Sequence, residues 1–312
     1  MSIAVLRTVD GWWVQTREGA TRVDTAATTT AELLADRPAV DAAAAGGKTI
    51  AVESLELVSP VTAPCRVVAQ MTNYVSHVKD SGMNPNTVPL TFFRKSSGSI
   101  SGPTDDIINP AHVTLLDYEV EIGLVVGKTL PVGSTVDDNT VAEHIAALVI
   151  TNDVSARNLQ LPKTQFYEAK SYPTFTPVGP ALLILEDGDL DRFDQLRLML
   201  RVNGEIRQNS TASEMIFRPT QALQTLTGFQ RIDPGDLILT GTPGGTALKA
   251  PPKPIEMIGA LLPPAVKWRT FFKRQASNPA YLQDGDVVEV TIATDDAMLD
   301  LGMQRTRVRY TR

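Results

Sequence analysis

Cysteine and histidine are almost missing. The 312 residues include one cysteine, Cys65, and three histidines, His77, His112 and His144. A single cysteine excludes an intrachain disulfide framework and a Cys-rich zinc site. Three histidines leave little room for a His-built metal centre. A basic excess is lacking as well: 35 Asp and Glu outnumber 29 Lys and Arg, for a formal net charge of −6. Nucleic-acid binding is therefore not expected, since it calls for a basic excess or patch. No stretch reaches the ~20 consecutive apolar residues that span a bilayer, so no membrane partner is expected either. The opening residues MSIAVLRTVDGWW lack a basic region followed by an apolar run and a small-residue cleavage site. A cytoplasmic protein is the expectation. What is present, 43% hydrophobic and 21% charged residues, is an ordinary globular composition.

Residues 1–60 read as a small N-terminal module, with strand-like runs at Ile3 to Leu6 and Trp12 to Gln15 and a helical stretch from Ala31 to Asp36. Ser59-Pro60 and Ala63-Pro64 punctuate the chain and set off residues 61–312 as the main domain. There the pattern favours strands with a few helices. Residues 140–153 begin helix-like and end in the apolar run Leu148 to Ile150. Residues 196–208 read as a hairpin around Asn203-Gly204, and Pro219 to Thr227 as a short helix. Leu237 to Thr240 and Val287 to Ile292 read as strands, and five prolines between 250 and 264 predict an irregular excursion. Strands and helices do not alternate regularly, so the fold class is α+β rather than a doubly wound sheet.

Several familiar motifs fail. Gly46-Gly47-Lys48-Thr49 lacks the earlier glycine of a phosphate loop, with Ala42 in its place. Gly98 to Gly102 has Ile100 where a nucleophile elbow needs serine. The loop Gly241 to Gly245 contains no Gly-x-Gly-x-x-Gly.

The strongest local signal is a strict alternation over residues 115–127. Leu116, Tyr118, Val120, Ile122, Leu124 and Val126 share one face, and Asp117, Glu119, Glu121 and Gly123 the other. Side chains two apart on a strand sit roughly 6.5–7 Å apart, so Glu119 and Glu121 repel each other. One reading is the solvated polar face of a half-buried sheet. The other is a divalent-cation site completed by Asp153, which follows an apolar strand. Oxygen-only ligands suit hard cations such as Mg²⁺, Mn²⁺ or Ca²⁺.

Five ordered segments give these residues a context. They are Asn73-Tyr74-Val75-Ser76-His77 with Phe92 to Ser96; Asp117-Tyr118-Glu119-Val120-Glu121; Thr151-Asn152-Asp153 running on to Gln160; Ala169-Lys170-Ser171 with Pro177 to Pro180; and Leu239 to Gly244. Together they resemble the fumarylacetoacetate hydrolase family over residues 66–292. The resemblance implies a mixed β-sandwich roll with flanking helices, and a homodimer. It implies Mg²⁺ or Mn²⁺ held by Glu119, Glu121 and Asp153, with a 2-oxo acid substrate chelating the ion through its carboxylate and keto oxygen. Lys170, Arg157 and Lys95 would supply positive charge to the anionic substrate, and Tyr74, Gln160 and Thr242 would join them in binding it. His77, oriented by Asp80, would activate water within a mobile lid hinged near Gly82 and Pro85. The implied activity is hydrolysis of a C–C bond in a 2,4-dioxo acid through an enolate. Decarboxylation, hydration and isomerisation are alternatives on the same scaffold, and a non-catalytic oxo-acid binder is the remaining one. The chain departs from the family pattern at Asp80, where glutamate is usual, and at Asn158, where aspartate is usual and a place behind the metal ligands is expected. The apolar insertion 249–281 would add packing, a dimer contact or a pocket wall. His112 and His144 read as structural. A substrate with an acidic tail would call on Arg94 or Arg218.

Overall fold

In the computed structural model, which describes residues 2–163, 166–250 and 263–311, strand Val120–Val126 is buried along its whole length. It lies antiparallel between Ile145–Asn152 and Leu237–Leu239, with Glu121 opposite Thr151 and Gly123 opposite Leu239. The neighbours pack so closely that a methyl group on Gly123 would lie 2.6 Å from Val149 and 2.8 Å from Leu237, which restricts this position to glycine. Val67–Met71 joins parallel to Leu237–Leu239, and Thr91–Lys95 closes that edge. On the other side Leu182–Ile184 follows, then Ile3–Thr8, Gly11–Thr16, Gly19–Arg22 and Thr49–Ile50, making ten strands. The leading segment is thus built into the main sheet, with Ile3 opposite Ile184.

A second, five-stranded sheet runs Glu205–Thr211, Arg197–Val202, Val287–Ala293, Asp300–Tyr310, Ile107–Asn109. Val120, Ile122 and Leu124 of the large sheet share one buried cluster with Leu198, Leu200, Val288 and Val290 of the small one. The opposite face of the large sheet places Val125, Val149 and Leu237 in a second cluster with Leu33, Val40 and Ala43 from two helices, Thr30–Ala35 and Arg37–Ala44. Thr29 and Glu32 cap the first of these reciprocally, and the Thr28 and Thr29 groups bonded to Glu32 hold its carboxyl down to about 2. A sheet covered on both faces explains why the two strands flanking Val120–Val126 carry the continuous apolar runs Leu148 to Ile150 and Leu237 to Leu239. The predicted α+β class and sandwich-like layering are what the structure shows.

Residues 140–147 depart from their helical expectation. Only Val141–Glu143 makes a short 3₁₀ turn, and Ile145–Asn152 is a strand. Both of its edges are paired, so tertiary pairing overrides the helix propensity of the alanines. The predicted hairpin turns at Asn203 (φ 51°) and Gly204 (φ 81°), the primed geometry that matches strand twist. The proline-rich expectation falls largely on residues 251–262, outside the described residues. Beyond them helix Pro264–Gln275 stacks Trp268 on Phe272, and Phe272 packs against the main core.

Candidate active site

Glu119, Glu121 and Asp153 bring one carboxylate oxygen each to within 4.8 Å of one another, and all three residues are buried. Glu121 lies on strand Val120–Val126, and Glu119 stands just before it, in the link from the two-residue strand Leu116–Asp117. Asp153 joins them because its N–H donates to the Glu119 carbonyl at 2.8 Å. The solvated-face reading is therefore overturned: Glu119 is 4% exposed and Glu121 1%.

Positive charge arrives from distant segments. Lys170 Nζ donates to Glu119 Oε2 at 2.7 Å and to Asp153 Oδ2 at 2.5 Å. Lys95 Nζ bonds Asp153 Oδ1 and, at 2.9 Å, the Phe175 carbonyl. Arg157 donates to Asp117 at 2.8 Å, to Gln160 at 2.8 Å and to the Glu119 carboxylate. Four buried acids thus face three buried cations. Glu121 is the one left without an ion-pair partner among the described residues, and its Oε2 accepts the Gly241 N–H at 2.7 Å.

The electrostatics follow from that imbalance. Burial, and then the charges of Asp153 and Glu119, push the Glu121 carboxyl well above its ordinary range. Burial also disfavours the Glu119 carboxylate, but Arg157 and Lys170 outweigh it and pull this group down. Burial opposes charge on Lys170, yet Asp153 and Glu119 leave its pKa raised, whereas burial wins at Lys95 and lowers it. An oxygen-only trio with one carboxylate driven toward protonation by the others fits a hard divalent cation such as Mg²⁺ or Mn²⁺. Arg157 ties two acids and an amide together inside the protein. Arg157→Leu should therefore lower stability by about 3–5 kcal/mol in a denaturant titration, because it leaves Asp117 and Glu119 buried without their partner.

The structure places the other expected residues differently. His77 and Asp80 both lie on helix Val75–Asp80 but share no hydrogen bond. Asp80 Oδ2 accepts the Gly245 N–H at 3.1 Å, and its backbone carbonyl accepts the Ala250 N–H at 2.9 Å. The His77 Nδ1 is buried without a partner, and burial lowers the imidazole pKa. Ser76 joins Asp80 in holding the glycine loop, through the Gly244 N–H at 3.0 Å. Thr242 is committed too: its hydroxyl donates to the Val120 carbonyl at 2.9 Å and accepts from Gln208 at 2.8 Å. Tyr74 is fully buried with an unpartnered hydroxyl, and burial, then Glu121, raise its pKa.

Asn158 does not sit behind the metal ligands. Its Oδ1 accepts from the N–H groups of Thr114 and Leu115, and its Nδ2 donates to the His112 carbonyl, so it pins residues 112–115. Arg218 pairs with Asp194, and Arg94 is exposed. His112 bonds the Tyr172 hydroxyl at 2.8 Å. Asp117 has a larger part than its sequence reading gave it. Besides Arg157, it accepts the N–H groups of Tyr118, Ala247 and Leu248, joining the strand to the glycine loop. The signal was there: it is the first acid of the alternating Asp-x-Glu-x-Glu run.

The sequence profile of the fumarylacetoacetate (FAA) hydrolase C-terminal family matches residues 66–309. The chain belongs to that family. It is similar to the human mitochondrial oxaloacetate tautomerase FAHD2A, 35% identical over 197 residues, which are 62% of this chain and 61% of that protein. The chain spans about six-tenths of the length of the curated relatives named first by similarity. Among solved structures it resembles a probable 2-hydroxyhepta-2,4-diene-1,7-dioate isomerase from Mycobacterium abscessus, with a TM-score of 0.75, 28% identity and 100% coverage of both chains. It also resembles a fumarylacetoacetate hydrolase from psychrophilic Exiguobacterium antarcticum, with a TM-score of 0.70, 25% identity and 100% coverage of both. Members of the fumarylacetoacetate hydrolase family similar to this chain thus carry tautomerase, isomerase and hydrolase names, so the scaffold alone does not fix the reaction. No helix among the described residues is long and apolar enough to cross a membrane. The human relative is mitochondrial, so the cytoplasmic expectation rests on the sequence alone.

Proposed function

We propose that this chain is a divalent-metal-dependent tautomerase of 2-oxo acids of the oxaloacetate class. The observation that carries the choice is the state of His77. Hydrolysis needs a base that holds and activates water, and the acidic partner that would orient such a base is turned away to Gly245. A tautomerase needs only a proton acceptor at carbon and charge stabilisation at oxygen. The similarity to an oxaloacetate tautomerase and to a diene-dioate isomerase supports the same reading.

Glu119, Glu121 and Asp153 would hold the ion. When bound, Mg²⁺ or Mn²⁺ supplies Lewis-acid polarisation of the keto oxygen. In the keto-to-enol direction His77, kept neutral by burial, would take the proton from the carbon beside the keto group on its free nitrogen while the keto oxygen takes one from solvent, the imidazolium then releasing its proton to solvent; the enol-to-keto direction runs the same transfers backward. Lys170, kept charged by Glu119 and Asp153, offsets the negative charge that develops on oxygen. Lys95 and Arg157 are paired with Asp153 and with Asp117 and Glu119, so they would reduce the negative charge the substrate meets rather than bind it themselves.

Mn²⁺-loaded protein should convert enol-oxaloacetate to the keto form far faster than it hydrolyses an acylpyruvate. The opposite ranking would make it a hydrolase. His77 titrates below its ordinary ~6.5, so kcat/KM should rise with pH through a limb below that value and then level off. His77→Asn should lower the plateau by about 10²–10⁴-fold and remove that limb. We also propose the homodimer implied by the resemblance. Light scattering should give twice the 33.7 kDa chain mass, and a monomer mass would reject it.

A further inference from the structure

We infer that Asn73 is a positioning residue for Glu121, locking the glycine loop that holds this carboxylate to the segment that carries Tyr74 and His77. The inference rests on the metal-site reading above. Asn73 is fully buried, and its amide is fully used. Its Nδ2 donates to the Thr240 carbonyl at 2.8 Å and the Phe217 carbonyl at 3.0 Å, while its Oδ1 accepts the Phe217 N–H at 2.8 Å. Its backbone carbonyl accepts the Ile216 N–H at 2.7 Å. Three chain segments therefore meet on one side chain, in a fully satisfied polar network of the kind that fixes a single arrangement.

What that arrangement fixes is Glu121. The Thr240 N–H and hydroxyl both bond the Ile122 carbonyl, at 3.1 and 2.9 Å, so the Thr240 backbone is gripped by the central strand on one side and by Asn73 on the other. The next N–H, that of Gly241, points at Glu121 Oε2. Glu121 has no ion-pair partner among the described residues, so this N–H is its fixed polar contact. Gly241 has φ +85° and passes so close that a methyl group on it would lie 2.7 Å from the Asn73 Cβ. The joint is strained on the Asn73 side too: Thr72 has φ 50° although β-branched, and its hydroxyl is buried without a partner. Backbone held in such a conformation needs surroundings that over-determine it, and the four Asn73 bonds do so. Groups that orient a metal ligand typically change metal affinity by about 10–100-fold when removed.

The test is Mn²⁺ binding, read from the electron paramagnetic resonance signal of free Mn²⁺. Asn73→Asp keeps size and acceptor but removes both N–H donors. It should weaken the Kd by about 10–100-fold, although its added negative charge alone would tighten it. Leu223→Ala, in the core of helix Pro219–Thr227, should lower Tm but bind Mn²⁺ like the wild type. An Asn73→Asp Kd within twofold of wild type, or an equal weakening in Leu223→Ala, would overturn the inference. Wild-type protein that binds no Mn²⁺ would overturn the metal-site reading itself. Should Asn73→Asp not fold, Gly241→Ala presses on the same joint from the other side, and an unchanged Kd there overturns the inference as well.

Discussion

Glu121→Gln should abolish Mn²⁺ binding and at the same time raise the melting temperature of the metal-free protein. The two effects have one cause. Glu121 is buried beside Asp153 and Glu119 with no ion-pair partner among the described residues, so its charge is costly until a cation arrives. Glutamine keeps the size and the acceptor for the Gly241 N–H but removes the charge. One of three ligand carboxylates is then gone, and affinity should fall by more than the ~10–100-fold typical of groups that merely orient a ligand. Removing an unpaired buried charge should stabilise the apo protein by about 1–3 kcal/mol. The pH dependence follows the raised pKa. A carboxyl whose folded pKa lies above its unfolded ~4.3 loses stability as pH rises through the folded value, so the gain in Glu121→Gln should grow with pH. Thermal melts in chelator across pH 5–8, about the range where stability is usually greatest, check this beside the Mn²⁺ titration. A variant that bound Mn²⁺ as well as wild type would remove Glu121 from the metal site.

Lys170→Met should separate binding from turnover. The ammonium bridges Glu119 and Asp153, so its loss relieves competition for both ligands and Mn²⁺ affinity should hold or tighten. Turnover should fall by about 10²–10⁴-fold, the usual range for a group that handles charge or protons in the transition state. Stability should fall by about 3–5 kcal/mol, since two buried carboxylates lose a partner. The aromatic setting explains the choice of methionine: Lys170 Nζ lies 5.1 Å from the Phe93 ring centre, and Phe93 meets Phe166 edge-on at 5.2 Å. An apolar side chain of similar length can occupy that wall. A fall in Mn²⁺ affinity parallel to the loss of kcat would show that the lysine holds the site together rather than acting in the reaction.

Local pattern alone carried the alternation of Asp117, Glu119 and Glu121, because a period of two is a property of the strand itself. It could not show that this face is dry. The cations that make it so, Lys95, Arg157 and Lys170, come from three other segments, and only pairing of the strands brings them in. The segment 140–147 failed for a related reason: its alanines favour a helix, and the two strands flanking Ile145–Asn152 decide otherwise. His77 and Asp80 share one helix, yet the carboxylate satisfies Gly245, whose backbone comes from far along the chain. Asn158 likewise serves a distant loop, residues 112–115. Motif order was enough to identify the family and to nominate the acidic trio. Which side chains hold substrate and which hold loops depends on hydrogen bonds between segments, as at Thr242 and Asn73.

The most direct measurement is the ketonisation of enol-oxaloacetate by protein stripped with chelator, followed by its ultraviolet absorbance before and after Mn²⁺ is restored. Stripped protein should run at the background rate, and Mn²⁺ should restore turnover in wild type but not in Glu121→Gln. Full activity in the stripped protein, or none after Mn²⁺ is restored, would contradict a metal-dependent tautomerase.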